Sequence, residues 1–204
     1  METENRRITQ FTDKYTGSGS IGNFLVSNFF RTIESLSQRD SRSVLEVGCG
    51  AGYSLVHLRK FFDDDTAFSA CDVDPELVHL AKEKNPSISC DVASIYELPY
   101  GDKSFDTVFC LEVLEHLDDP EKALSELARV AKKYVIISTP NEPVWRILNC
   151  ARGKYLSQFG NTPGHINHWS SRTLAKLVSK YFDVIKVKRA LPWTIIYAKS
   201  KNLR

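Results

Sequence analysis

A doubly wound α/β domain, with a mostly parallel sheet and helices on both faces, is the fold class this sequence predicts. Three observations carry it. From about residue 40 onward, short apolar runs alternate with segments of helical periodicity. The run Thr107–Leu111 is uninterrupted by charge, as strands covered on both faces tend to be. The first strand-to-helix connection, Glu46–Val47–Gly48–Cys49–Gly50–Ala51–Gly52, is rich in glycine, which lets backbone turn sharply and approach a ligand closely. At 204 residues the chain, 1–204, suits a single domain with a sizeable core.

The elements follow in order. Residues 1–38 read as an N-terminal lid segment. It has a polar approach ending in Thr16–Gly17–Ser18–Gly19–Ser20, then an amphipathic helix over 21–37 in which Ile21, Leu25, Phe29, Ile33 and Leu36 recur. Val44–Val47 is the first strand, and Leu55, Leu58 and Phe62 mark the helix face after it. Ala67–Cys71 is the second strand; its helix starts at Pro75 and aligns Leu77, Leu80 and Ala81. Ile88–Cys90 is a short third strand and Thr107–Leu111 the fourth. Asp119 caps the next helix, Pro120 fits its first position, and Lys132 and Lys133 suit its negative end. Leu124, Leu127, Ala128 and Ala131 form its buried stripe. Tyr134–Ser138 is the fifth strand. Residues 140–169 form a loop-rich insertion, after which Ser170 opens a helix with Leu174, Leu177, Val178 and Tyr181 on one face. Two last strands, near 182–189 and 193–199, are joined by Leu191–Pro192, a connection short enough for antiparallel pairing. That makes seven strands.

Bulk properties narrow the function classes. Hydrophobic residues at 42% and charged residues at 25% are ordinary globular values. A net charge of +2 is too small to argue for nucleic acid or an anionic membrane. No apolar run approaches the ~18 residues of a membrane span, and the start lacks the apolar stretch of a signal peptide. A cytoplasmic protein is expected. Cys49, Cys71, Cys90, Cys110 and Cys150 are scattered without a C-x-x-C pair and read as small buried thiols.

In such folds ligands bind beyond the carboxyl ends of the strands, where strand order switches. The glycine loop lies there. Its third glycine, Gly52, comes one place earlier than in the dinucleotide pattern G-x-G-x-x-G, and Tyr53 stands where that pattern has glycine. This favours a ligand without a pyrophosphate. Asp72 lies 20 residues past Gly52 at the end of the second strand, where an acid accepts the hydroxyls of a ribose. Asp91 closes the third strand and can accept from a base amino group, with the Val92 amide near the ring.

Taken together, V-L-E-V-G-C-G-A-G-Y, C-D-V-D-P-E and F-D-T-V-F-C-L-E-V-L-E-H-L resemble the class I S-adenosylmethionine-dependent methyltransferases, over roughly residues 40–140. The likeness is to the broad group that methylates small molecules. It implies a Rossmann-like sheet, S-adenosylmethionine as cofactor, S-adenosylhomocysteine as product and a small-molecule acceptor. By the same resemblance Glu46, Gly48, Cys49, Gly50 and Gly52 carry the methionine end of the cofactor. Asp72 with Val73 carries the ribose, Asp91 with Val92 the adenine, and Leu111 and Glu112 line the methionine pocket. The interval from Asp91 to Leu98–Pro99 is longer than the family's usual one.

A sulfonium methyl is already activated, so transfer needs close approach, alignment and exclusion of water, and positioning alone can supply up to roughly 7–11 kcal/mol. A base is needed only where the acceptor must lose a proton. Candidates are His116, at the mouth of the fourth strand, and His165 and His168, just before a helix; His57 and His79 read as surface or packing residues. No acid or cysteine cluster adjoins the His165–His168 pair in the sequence, so no metal is expected. Asn141, Glu142 and Trp145 are further acceptor-side candidates. With Phe24, Phe29, Phe30, Tyr155, Phe159 and Trp169, an aromatic lid over an apolar or ring-bearing acceptor is expected. The absence of a [D/N]-P-P-[F/Y] run disfavours amide and exocyclic nitrogens. Two other classes stay open: a nicotinamide-dependent oxidoreductase, and a non-catalytic cofactor-binding module.

Overall fold

The computed structural model describes residues 19–201. Seven strands form one sheet: β1 (Ser43–Val47), β2 (Ala67–Asp72), β3 (Ser89–Val92), β4 (Phe105–Leu111), β5 (Ala131–Pro140), β6 (Phe182–Ala190) and β7 (Trp193–Ser200). Their order is β3-β2-β1-β4-β5-β7-β6. Pairing is parallel from β3 through β5, whereas β7 runs antiparallel to both β5 and β6. The Rossmann-like class and the terminal hairpin are as the sequence predicts.

Alternation along the strands splits the core into two layers. Val44, Phe109, Ile136 and Ile195 enter one, while their chain neighbours Leu45, Val108, Ile137 and Ile196 enter the other. All eight are buried. The first layer is closed by α1 (Ser20–Glu34) through Phe29, Phe30 and Ile33, by α2 (Tyr53–Leu58) through Leu55 and Leu58, and by α3 (Pro75–Lys84) through Val78 and Ala81. The second is closed by α4 (Pro120–Val130) through Leu124 and Leu127, and by α6 (Ser171–Val178) through Leu174 and Val178. Helices thus cover both faces, which buries strands such as β4 along their whole length.

Local chemistry sets the helix starts. Asp74 accepts from the amides of Glu76 and Leu77 with Pro75 following, and Asp119 accepts from the Lys122 amide ahead of the helix begun by Pro120. Ser170 and Thr173 form a reciprocal capping box.

Four expectations are corrected. Lys132 and Lys133 do not close α4. The helix ends at Val130 because Ala131 already pairs with Phe105, and both lysines lie on β5, where Lys133 Nζ is 3.1 Å from Asp106. Ala131 is buried, but as a strand residue. β3 is displaced toward its carboxyl end, so Asp91 lies within it and Val92 closes it. The 140–169 stretch contains a helix, α5 (Val144–Ala151), and a 3-10 turn over Leu156–Gln158. The polar approach within 1–38 falls outside the described residues up to position 18; from Gly19 onward the helix forms as expected, with Phe29 and Phe30 serving the core.

Candidate active site

Strand order reverses beside β1, since β2 and β3 extend to one side and β4 and β5 to the other. The crevice over the carboxyl ends of β1 and β4 is therefore where a ligand fits. Gly48, Gly50 and Gly52 all hold positive φ, at 78°, 51° and 74°. At Gly48 the requirement is doubled: a Cβ there would lie 2.3 Å from Val113 Cγ2. Only glycine permits this turn to sit against the segment after β4.

The loop is anchored to β2. The amides of Gly48 and Cys49 donate to the Cys71 carbonyl at 2.8 and 3.0 Å, and the Gly50 amide donates to Asp72 Oδ2 at 2.8 Å. Asp72 Oδ1 accepts from the Asp74 amide at 3.1 Å. Its carboxyl is raised above the ordinary carboxylate range by burial, against the lowering effect of these amides. Glu46 is 1% exposed; burial pushes its carboxyl up to about 8, although a hydrogen bond with Ser54 works the other way. Its Oε2 is buried without a hydrogen-bond partner. A buried acid of this kind fits a cationic ligand group.

Val73 and Val92, after Asp72 and Asp91, are exposed at 70% and 54%. Apolar side chains left bare at adjacent strand ends provide walls for a flat ring. Asp91 accepts from the Tyr100 hydroxyl at 3.1 Å. Leu111 and Cys49 are buried, and Glu112 follows with a left-handed φ of 60°. The Ser138 hydroxyl donates to Glu112 Oε1 at 2.8 Å, and the Glu112 amide to the Ser138 carbonyl. Every candidate cofactor residue thus sits at the carboxyl ends of β1 to β4 or just beyond.

The three candidate histidines part company. The segment before α6 folds back on the turn after β4: Ile166 and Asn167 amides donate to the Glu115 carbonyl, and Asn167 Nδ2 to the Leu117 carbonyl at 2.6 Å. This brings buried His165 to His116, with ring centroids 4.9 Å apart. Ligand atoms of Glu115, His116 and His165 all lie within 4.8 Å of one another. That donor set can hold a divalent cation or a proton. His116 Nδ1 lies 2.9 Å from the Gly164 carbonyl, which only accepts, so Nδ1 carries the proton and Nε2 holds a lone pair when the ring is neutral. His168 is exposed and 2.7 Å from Asn161 Oδ1; Asn161 Nδ2 donates to the His165 carbonyl at 3.3 Å, so His168 is linked to this group through Asn161. The side-chain role of Glu115 went unread in the sequence because its partner lies 50 positions on; the L-E-H run after β4 was the available signal.

Above the histidines, Trp145 on α5 faces His165 at 6.2 Å and Trp193 at 6.0 Å, and Phe29 meets Trp193 at 4.9 Å. Trp145 Nε1 donates to Thr162 Oγ1. Asn141 has a structural task, donating to Ser171 and Thr194 hydroxyls, and His57 stacks on Phe30. Glu142 is half-buried and its carboxyl raised by burial.

Comparison with known proteins points the same way. Residues 45–137 match the model of the methyltransferase domain. Over this stretch the chain is similar to S-adenosylmethionine-dependent methyltransferases. Over 100 residues it is 33% identical to ajmaline N-methyltransferase of Rauvolfia serpentina, covering 46% of this chain and 34% of that enzyme. Over 134 residues it is 32% identical to a probable S-adenosylmethionine-dependent methyltransferase of Mycobacterium tuberculosis, covering 62% and 48%. The matched stretch thus spans only a third to a half of these relatives. A solved S-adenosylmethionine-dependent methyltransferase of Aquifex aeolicus shares the fold, with a TM-score of 0.69 at 22% identity over 84% of this chain and 88% of that one. Among the described residues no helix is long and apolar enough to cross a membrane.

Proposed function

We propose that this chain transfers the sulfonium methyl of S-adenosylmethionine to an oxygen or nitrogen of a small, ring-bearing or apolar acceptor, in the cytoplasm. The cofactor lies along the glycine loop, with its ribose on Asp72, its adenine between Val73 and Val92, and its amino group toward Glu46. The acceptor lies between the turn after β4 and the 140–169 segment, under Trp145 and Trp193.

The observation that carries this reading is the meeting of His116 and His165 beside Glu115 at the mouth of β4. A methyl acceptor becomes more nucleophilic as it loses its proton, and a neutral His116 offers Nε2 to take it. His165 and Glu115 then stabilise the resulting imidazolium. His168 is assigned to loop positioning through Asn161. The N-methyltransferases among the relatives are consistent with a nitrogen acceptor, and the aromatic wall with a hydrophobic one. Transfer from labelled cofactor should be measured against a panel of phenols, amines and lipid-linked acceptors. Wild type should label at least one of them, and no cofactor binding by calorimetry would overturn the reading.

The trio also favours a second reading, in which a divalent cation bound by Glu115, His116 and His165 polarises an acceptor oxygen. Chelation separates the two: turnover that survives it supports the base, and turnover restored only by added cation supports the metal.

A further inference from the structure

One surface of the 140–169 segment lies outside this chemistry. Helix α5 advances about 100° per residue, so Trp145 and Asn149 share the face that turns inward. Ile147 lies on the outward side, exposed at 62%, and Leu148 on the flank at 38%. Beyond the helix, Leu156 and Phe159 are exposed at 61% and 79%.

Helix and turn are bolted together. Arg146 Nε donates to the Phe159 carbonyl at 3.0 Å, and Asn149 Nδ2 to the Gly160 carbonyl at 2.9 Å. A Cβ at Gly160 would lie 2.2 Å from the Arg146 carbonyl oxygen, so glycine alone lets the turn close on the helix. The four apolar side chains therefore stand on one rigid tip.

The charged side chains of residues 143–182 have one sign, and the acid nearest the tip in the chain, Glu142, stands just before that stretch beside Arg146. The stretch contains no aspartate or glutamate, but includes Arg146, Arg152, Lys154, Arg172, Lys176 and Lys180. The chain's small positive balance resides in this stretch. Arg152 and Lys154, at the carboxyl end of α5, are exposed next to the apolar group. Bare aliphatic and aromatic side chains with exposed Arg152 and Lys154 on the same segment match an interface of acyl chains under anionic headgroups. A protein surface of mixed charge would call for acids here as well.

We propose that the tip formed by α5 and the Leu156–Phe159 turn docks peripherally on an anionic lipid surface. Apolar side chains enter the headgroup boundary, and Arg152 and Lys154 pair with lipid phosphates. Trp145 on the opposite side of the same helix faces the acceptor cleft, so docking sets that cleft beside the bilayer. The docking itself is independent of the proposed reaction and is read without turnover.

The test is flotation of the full chain with vesicles of phosphatidylcholine alone or mixed with phosphatidylglycerol. The wild type should float with the mixed vesicles, weakly or not at all with phosphatidylcholine, and less as salt rises. Ile147→Ser/Phe159→Ser and Arg152→Glu/Lys154→Glu should each weaken binding about tenfold or more. Cofactor affinity and thermal melting of each variant are measured alongside to show that it is folded. Failure of the wild type to float with the mixed vesicles overturns the proposal. So does equal flotation by the folded variants, or a stable dimer that both variants dissociate without any vesicle binding.

Discussion

Between β1 and β3, the groups facing the cleft are held by main chain. Three glycines with positive φ form the loop, two of its amides grip the Cys71 carbonyl, and Asp72 is fixed by the Gly50 and Asp74 amides. Between β5 and α6, side chains do the holding: Trp145 to Thr162, Asn149 to Gly160, Asn167 to Leu117, His168 to Asn161. Backbone-held geometry survives most changes of residue type, provided the glycines remain. Side-chain-held geometry changes with each substitution. The first arrangement fits a ligand that stays the same, and the second fits one that differs between enzymes.

The sharpest way to break this division is His116→Ala, which removes the proposed base oriented by the Gly164 carbonyl and should reduce turnover about 10²–10⁴-fold while leaving the cofactor dissociation constant unchanged. A parallel loss of cofactor affinity in calorimetry would show that the two halves are one site. Gly48→Ala should act on the other half. The strained φ and the contact with Val113 together cost about 3 kcal/mol, roughly a 100-fold loss of cofactor affinity if the loop yields rather than the fold. Unchanged binding would mean the loop has slack.

Asp72→Ala should weaken cofactor binding by about 1.5–3 kcal/mol, the range for hydrogen bonds to a charged group. Its melting temperature should move little, because the residue stands at a strand end. Affinity equal to wild type would displace the ribose from this acid.

The smallest effect expected on the cofactor side is one of pH. Glu46 is raised by burial from 4.5 to about 8, so the folded state holds its proton more tightly than the unfolded one. Its contribution to stability is greatest below 4.5 and is lost as pH rises to about 8. The melting temperature of the ligand-free protein should fall across that window relative to Glu46→Gln. A cationic amino group beside Glu46 favours the ionised acid, so cofactor affinity should rise with pH up to about 8 and binding should release a proton. Calorimetry in buffers of different ionisation enthalpy reads that proton, and none released at pH 7 would place the amino group elsewhere. Least of all, His168→Ala should change turnover by less than about threefold, and a large loss would restore it to the chemistry.

What was legible in the sequence follows the same division. The short apolar runs of β1, β4, β5 and β7, the glycine loop and the proline-marked starts of α3 and α4 are local signals, and the structure shows each. The end of α4 was misread because no glycine or proline separates it from β5, and only the pairing of Ala131 with Phe105 marks the change. α5 was missed because it is eight residues long and lacks a side-chain cap. The approach of His165 to Glu115 depends on the fold of a whole loop, and no spacing in the chain encodes it.

The placing of β7 bears on how the molecule is made. It is the last strand among the described residues and yet lies inside the sheet, between β5 and β6. Until residues 193–200 have been synthesised, β5 has no neighbour on that side and β6 has no strand to join. A nascent or truncated chain therefore carries open edges with bare amides and carbonyls, the arrangement that invites pairing with another copy. Tyr134 to Pro140 pair with β7 along their full length, so a late, long-range event completes the wall on which the acceptor side rests. Loss of β7 should be met in the cell as aggregation and proteolysis rather than as a weakened enzyme.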